Sequence, residues 1–266
     1  MLRRWKRIRR RILRDDIVVF LGPTLSASEA RKYLDAIYLP PVGCADVVRA
    51  VADHAPSVIV LIDGVFAQRP AVRHQEILWA MARGVRIYGA ASIGALRAAE
   101  LAPQGMIGHG LIYRWYRRHP LADDADVTVP MAPAELGSRA LGDALIDMRL
   151  SLRKAECAGV IERRLRHELE ALARSLHFSE RSFTRLLQAA ENNSGAAERL
   201  AALQAWLKAG AVNQKRSDAV NLLTHLADHK INSRGESNSF EFELTESFAN
   251  DMHYCKMLET LLPKCK

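Results

Sequence analysis

Three short apolar runs, each closed by a turn residue, constrain the fold of this chain more than any other feature. The runs are residues 17–21, 58–62 and 85–88, and they end at Gly22-Pro23, Asp63-Gly64 and Gly89. Short β-branched runs bounded in this way are typical of buried parallel strands. Because stretches with helical spacing lie between them, we predict an α/β fold with a small parallel sheet and flanking helices.

Helix signals fill the intervals between these runs. Ser26 and Glu29 have the spacing of a capping box, which predicts a helix that continues to about Ile37. Further helices are predicted over residues 45–54, 70–83 and 93–101. The helix over 70–83 has proline in its first turn and glycine just past its end, which is the usual asymmetry of helix termini.

The second half of the chain has a different pattern. From about residue 134 onward, leucines recur at helical spacing and the strand signal disappears. A polar stretch over 231–239 predicts a loop, and residues 248–262 predict a last helix. We therefore expect a basic N-terminal arm (1–14), an α/β core (15–145) and an all-helical C-terminal region (146–266), whose leucines we assign to packing.

Composition excludes several classes of protein. Hydrophobic residues make up 49% and charged residues 26% of the chain, which is ordinary for a folded globular protein and excludes a disordered one. No run of eighteen apolar residues is present, so we expect no membrane span. The four cysteines form no C-x-x-C pair, which favours free thiols in a reducing cytoplasm over a metal framework.

The net charge of +8 belongs to the N-terminus. The first fourteen residues contain eight Lys or Arg and no acid, which leaves the rest of the chain neutral on paper. We interpret this run as a solvated arm, or as a start site assigned too far upstream. The alternative is an arm that attracts an acidic partner. Nothing else resembles nucleic-acid readout, so no nucleic-acid partner is expected.

The carboxyl ends of the predicted strands meet at one edge of the sheet, where ligands of such folds usually bind. Ser92 follows the third strand in a turn of small residues and stands directly before a helix, an arrangement that resembles a nucleophile elbow. The backbone N–H of Ile93 is then placed to stabilise an oxyanion. The alternative is that the small residues only permit close packing and that Ser92 caps the helix.

A serine nucleophile needs a base, and the sequence offers several candidates. Asp63, His74 and Glu76 lie near the predicted edge, and Lys32 is the only lysine between residues 15 and 150. Surface positions are the alternative for His74 and Lys32. Residues 22–26 precede a helix and suit an anion, but they lack the glycine patterns of nucleotide sites. A nucleotide- or anion-binding module is therefore a third candidate function.

Five blocks of residues carry a family resemblance: 63–66, 70–80, 84–101, 105–108 and 123–127. With them, residues 16–130 resemble the core of the TfuA family. The resemblance implies a partner of a YcaO enzyme, which activates peptide amides with ATP. It also implies release of sulfide from a thiocarboxylated, ThiS-like carrier protein at a hydrolase-like site with a serine–lysine pair.

In that implied pair the serine corresponds to Ser92, whereas the lysine is harder to assign. Gln75 stands where many members of the family carry Lys or Arg, which leaves Lys32 as the only lysine of the predicted core. Ile93 and Asp126 are smaller departures, since Met and Glu are usual at those positions.

Two functions from different classes follow from the resemblance. The first is an enzyme in which Ser92 attacks the thiocarboxylate carbonyl and sulfide leaves toward the YcaO site for backbone thioamidation. The second is a non-catalytic docking protein that helps a YcaO bind its peptide substrate. A precursor peptide is a further candidate partner, and we expect no cofactor and no metal. Substrate or partner contacts are predicted for Gly22, Pro23, Thr24, Gly64, Phe66, Glu76, Gly89, Ile93, Gly94, Arg97 and Glu100.

Overall fold

A five-stranded parallel sheet forms the centre of the protein. The computed structural model describes residues 16–66, 69–119, 122–193, 197–229 and 242–261. The strands are β1 (Ile17–Phe20), β2 (Ile37–Leu39), β3 (Val58–Leu61), β4 (Arg86–Ala90) and β5 (Ile107–His109). Their order across the sheet is β2-β1-β3-β4-β5, and every neighbouring pair is parallel. The predicted α/β class is confirmed, together with the three predicted strands.

The first predicted helix is wrong beyond its first turn. Helix α1 covers only Ala27–Ala30, and Ile37 opens β2. The Ser26 side chain does accept a hydrogen bond from the Glu29 N–H, at 3.2 Å. The Glu29 carboxylate, however, pairs with Arg216. Pairing of Ile37 with Val18 of β1 converts the end of the predicted helix into an edge strand.

Four more helices accompany the sheet: α2 (Asp46–His54), α3 (His74–Ala82), α4 (Ile93–Glu100) and α5 (Gly110–Arg118). Three of them match predicted helices. Helix α3 begins four residues later than predicted, because residues 70 and 71 pair with the segment after β2: Cys44 N–H donates to the Pro70 carbonyl, and Gly43 forms a bridge with Ala71.

From residue 145 onward the described chain is helical, as predicted for the C-terminal region. Its helices are α6 (Leu145–Cys157), α7 (Arg163–Ser175), α8 (Phe183–Asn193), α9 (Ala197–Gly210), α10 (Gln214–Asp228), α11 (Glu246–Tyr254) and α12 (Leu258–Leu261). The predicted last helix is thus two helices, with Lys256 at φ 58° between them. The predicted basic arm and the predicted loop at 231–239 lie outside the described residues.

Both faces of the sheet are covered, and late helices contribute to each cover. On one face, α2 and α3 pack with Phe248 and Met252 of α11. On the other face, α1 packs with α10 through four buried residues, Ala219, Leu222, Leu223 and Leu226. Helices α6 to α9 enclose a separate apolar cluster. The boundary near residue 145 stays a prediction, but α10 and α11 return to the sheet that the first half of the chain forms.

Candidate active site

A small cavity opens at the carboxyl edge of the sheet, where the sequence predicts the site. Its volume is about 20 Å³, room for about one water molecule. The lining residues come from the ends of β1, β3 and β4, from residues 124–129 and from α10. They are Pro23, Gly64, Val65, Phe66, Ser92, Ile93, Asp124, Val127, Thr128, Val129 and Lys215.

Ser92 occupies the tight turn between β4 and α4. The turn places Ala91 in the left-handed region at φ 68°, and Ser92 follows as the residue that precedes the first turn of α4. The Ser92 side chain makes no capping hydrogen bond to the helix. Instead, its hydroxyl donates to the carbonyl oxygen of Val127 at 3.4 Å, and the residue is 7% exposed. The capping alternative for Ser92 therefore has no support from the geometry.

The glycines around Ser92 do serve close packing. A Cβ atom on Gly94 would overlap the carbonyl oxygen of Leu61, and one on Gly89 would overlap the carbonyl oxygen of Gly94. Helix α4 therefore lies directly against β3 and β4, which holds Ser92 at the sheet edge. The two interpretations of this segment apply to different residues: the glycines bring the helix close, and the serine faces the cavity.

Lys215 is the site residue that the sequence analysis missed. It lies in the first turn of α10, is 4% exposed, and donates from Nζ to the carbonyl oxygen of Val127 at 2.8 Å. Ser92 and Lys215 thus share one backbone acceptor inside the cavity. A signal was present in the sequence, because Lys215 precedes Ala219 and Leu222 at helical spacing and so falls on the apolar face of α10.

Asp63 lies beneath this pair and is fully buried. One carboxylate oxygen, Oδ2, accepts the backbone N–H groups of Gly22 and Thr24, both at 2.9 Å. The other, Oδ1, accepts the Thr24 hydroxyl at 2.6 Å and lies 4.0 Å from Lys215 Nζ. The predicted group Gly22, Thr24 and Asp63 is therefore one hydrogen-bonded unit, and its carboxylate offsets the charge of the buried lysine.

The other predicted bases lie elsewhere. His74 Nε2 pairs with Glu100 at 2.8 Å, and Arg97 Nη1 binds the same carboxylate at 2.6 Å, all on the outside of α3 and α4. Lys32 is exposed in the turn after α1. Neither His74 nor Lys32 lines the cavity, and the same holds for Gln75. The structure does not bring these three side chains to Ser92.

Glu76 is buried away from the cavity, where its carboxylate binds backbone N–H groups. Its carboxylate accepts the backbone N–H groups of Ala45, Val47 and Arg73 at 2.8–3.2 Å, and it is fully buried. The N-terminal end of α2 has no side-chain cap of its own, so Glu76 satisfies its free donors from α3. Burial raises the pKa of Glu76 to about 7, against the three backbone donors, which lower it.

Two further predicted contacts, Phe66 and Ile93, belong to the cavity wall. Phe66 stacks edge-to-face on Phe178, which follows α7, with ring centroids 5.2 Å apart. Ile93 closes the wall beside Gly64, where a Cβ atom would press on its side chain. Pro23 completes the same wall from the loop after β1.

Comparison with known proteins adds one finding to this geometry. Residues 63–182 match the family model described as TfuA-like protein. This segment is similar to the TfuA-like family. The match begins at Asp63, contains Ser92 and Val127, and ends before Lys215. The family is linked to YcaO-associated modification. A comparison with curated proteins finds no match.

The described residues contain neither a metal-ligand group nor a membrane-spanning helix. Within residues 16–66, 69–119, 122–193, 197–229 and 242–261, no three His, Cys, Asp or Glu side chains are grouped closely enough to hold a metal ion. In the same ranges, no helix combines the length and the apolar content that crossing a bilayer requires.

Proposed function

We propose that this TfuA-like chain releases sulfide from a thiocarboxylated, ThiS-like carrier protein and supplies it to a YcaO enzyme for backbone thioamidation. The observation that carries the proposal is the shared acceptor: the Ser92 hydroxyl and the Lys215 ammonium both bind the carbonyl oxygen of Val127. A buried serine beside a buried lysine, at the carboxyl edge of a parallel sheet, suits acyl transfer.

The proposed reaction has two steps. Ser92 Oγ attacks the thiocarboxylate carbonyl carbon, the C–S bond breaks, and hydrosulfide leaves while an acyl ester forms on Ser92. Water then attacks the ester carbonyl, which restores the serine and leaves the carrier with an ordinary carboxylate. The net change consumes one water for each hydrosulfide released, and no oxidant or reductant is needed.

Lys215 is the proposed base for the first step. To act as the base, the Lys215 ammonium would first lose a proton. Nζ would then take the proton of the Ser92 hydroxyl and later return it to the regenerated serine. Asp63 lies 4.0 Å from Nζ with its oxygens bound to Gly22 and Thr24, so it holds the lysine in place and makes no described contact with Ser92. Its proposed role is positioning.

Ile93 is the proposed oxyanion donor. It is the first residue of α4, and the first N–H groups of a helix have no acceptor within that helix. An N–H in this position also lies at the positive end of the helix dipole. A developing oxyanion on the thiocarboxylate would therefore be stabilised where α4 begins.

The size of the cavity supports a narrow substrate. A volume of about 20 Å³ holds about one water molecule, so the cavity would have to widen to admit even the terminal thiocarboxylate. The body of the carrier would remain at the mouth, beside Phe66 and Pro23. The alternative function, a non-catalytic docking protein for YcaO, is favoured by this same small volume.

The decisive measurement is sulfide release from a thiocarboxylated carrier by the purified chain. We expect Ser92→Ala and Lys215→Met each to reduce the rate by about 10³-fold or more, because nucleophile and base act as a unit. His74→Gln and Lys32→Met serve as matched controls, since both side chains lie outside the cavity, and they should retain the wild-type rate. Unchanged release by Ser92→Ala would remove Ser92 from the mechanism.

The same assay separates the docking alternative. A docking protein would release no sulfide in any form, with or without YcaO, yet would still bind YcaO or its peptide. In that case the partly exposed ion-pair cluster of His74, Arg97 and Glu100 becomes the first surface to alter, with YcaO binding as the measured quantity.

A further inference from the structure

Two cysteines that are far apart in the sequence lie side by side in the fold. Cys44 follows β2, and Cys255 is the residue after the last turn of α11. Their sulfur atoms are 3.9 Å apart, and the thiol of Cys255 donates to the sulfur of Cys44. Both are free thiols in this structure, as is Cys157, which is exposed at the end of α6.

We propose that Cys44 and Cys255 are a redox-active pair that closes to a disulfide under a hydroperoxide oxidant. A disulfide has an S–S length of about 2.05 Å, so the sulfur atoms need to approach by about 1.9 Å. The neighbouring helices α11 and α12 are short, of nine and four residues, and form the edge of the apolar cluster. A small shift of α11 would therefore bring the sulfurs together.

The environments of the two thiols set the order of the steps. Cys44 is 8% exposed, whereas Cys255 is half-buried and reachable from solvent. Burial, with the nearby Glu76 carboxylate, raises the pKa of Cys44 to about 12, so Cys44 stays a thiol at neutral pH. Oxidation therefore begins at Cys255, because the thiolate is the reactive form and needs access to the oxidant.

The proposed chemistry balances in two steps. Cys255 loses its thiol proton, and the thiolate takes one oxygen from the hydroperoxide to become a sulfenic acid. The hydroxide or alkoxide that leaves takes up that proton and becomes water or an alcohol. Cys44 sulfur then attacks the sulfur of the sulfenic acid. The S–O bond breaks, the S–S bond forms, and the leaving hydroxide takes the thiol proton as water. Two electrons pass from the two thiols to the peroxide.

The bond would join α11 to the wall of the cavity. Cys44 lies two residues after Val42, whose N–H donates to the Asp63 carbonyl and whose own carbonyl accepts the Val65 N–H, both at 2.9 Å. On the other side, Asp251 of α11 pairs with Arg73 at 3.0 Å. A disulfide would add a covalent bond to these polar contacts. It would link two residues that are 211 positions apart in the chain.

Peptide mapping tests the proposal directly. The full chain is treated with hydrogen peroxide, remaining thiols are alkylated, and trypsin digestion is done without reductant. Cleavage after Lys or Arg places Cys44 in peptide 33–49 and Cys255 in peptide 235–256, while Cys157 falls in peptide 155–163. We expect a cross-linked species of peptides 33–49 and 235–256 that disappears when a reductant is added.

Three variants make the result specific. Cys255→Ser and Cys44→Ala should each abolish the cross-linked species, whereas the matched control Cys157→Ser should leave it unchanged. Oxidation should also raise the Tm of the wild type by about 5–15 °C through loop closure, and the Cys44→Ala chain should show no such rise. Alkylation of both cysteines after oxidation, a link from Cys255 to another cysteine, or an unchanged Tm would overturn the proposal.

Discussion

Val127 contributes a backbone carbonyl, not a side chain, to the candidate site. The loop that carries this carbonyl is fixed by Arg181, whose guanidinium donates to the Ala125 carbonyl at 2.7 Å and to two carbonyls at the end of α7. Arg181 is 3% exposed, and its burial lowers its pKa. The acceptor shared by Ser92 and Lys215 therefore lies in a loop that a buried side chain from the link between α7 and α8 holds in place.

Glu76 allows a prediction at the scale of one residue. Glu76→Ala removes the acceptor of three buried backbone N–H groups, which should lower the free energy of unfolding by about 2–4 kcal/mol. Urea denaturation measures the change. Glu100→Ala is the matched control on the neighbouring helix surface, where an exposed ion pair contributes about 0–1 kcal/mol. Equal losses in both variants would contradict the capping role of Glu76.

Glu76 should also make the free energy of unfolding depend on pH, with a contribution that falls as pH rises. Its pKa is about 7 in the folded protein against an ordinary value of 4.5, so the native state holds this proton more tightly than the unfolded state. The contribution of Glu76 to stability should therefore fall as pH rises from about 4.5 to 7. Glu76→Gln should lose that slope, and urea unfolding at pH 5 and pH 8 compares the two chains.

The sequence could single out Ser92 but not Lys215, and each outcome has its own physical reason. Ser92 lies in a local strand–turn–helix pattern that is visible within about ten residues. Lys215 comes from a helix that packs across the sheet, and local spacing says only that its face is apolar. His74 was a candidate for its place early in the helix before β4, and Lys32 as the only lysine between residues 15 and 150, but neither side chain lines the cavity.

Among the elements, the two shortest strands, β2 and β5, were beyond the sequence analysis. Each has three residues, and each lies at an edge of the sheet. Their extended conformation follows from pairing with a longer neighbour: Ile37 with Val18, and Gly108 with Gly89. Such pairing is a tertiary effect, and it overrides the local preference that predicted a helix up to Ile37.

The junction of β5, α5 and α10 carries a prediction at this scale. His109 ends β5, and its ring lies 5.5 Å from the ring of His225 on α10. Burial, followed by the charges of His225 and Arg114, lowers the pKa of His109, while Asp218 opposes the shift. The unfolded state therefore binds this proton more readily than the native state.

The neutral His109 side chain should thus contribute to the free energy of unfolding above about pH 6.5. This contribution should decline as pH falls toward the pKa of His109 in the folded protein. Urea unfolding midpoints at pH 7.5 and 5.5 should differ more for the wild type than for His109→Gln. His119→Gln is the matched control, because that side chain is exposed at the end of α5. The same pH response in His109→Gln and wild type would show that this histidine does not couple folding to pH.

At the scale of the whole molecule, the packing of α10 bears on whether the chain divides into independent domains near residue 145. The sheet face formed by Ile17, Val19, Val58 and Val60 is covered by α10, which lies some seventy residues beyond that boundary. A chain that ends at residue 145 would expose this face to water, since only α1 would remain on it.

We therefore expect the shortened chain to bind a hydrophobic dye and to lack a cooperative thermal transition. A chain that ends at residue 261 is the control, because it retains all described helices, and it should unfold like the full protein. A cooperative transition in the chain of 145 residues would instead establish the predicted core as an independent domain.

Because α10 lies far along the chain, its return to the sheet also determines when Ser92 and Lys215 can come together during synthesis. Ser92 leaves the ribosome first, and Lys215 follows 123 residues later. At about 5–20 residues per second, the nascent chain carries its serine for about 6–25 s before the lysine emerges. Over that interval the sheet lacks α10 on one face and α11 on the other, and the Ser92 hydroxyl lacks its neighbouring amine. The α10 cover of the sheet and the amine near Ser92 are therefore added only after α10 has been synthesised.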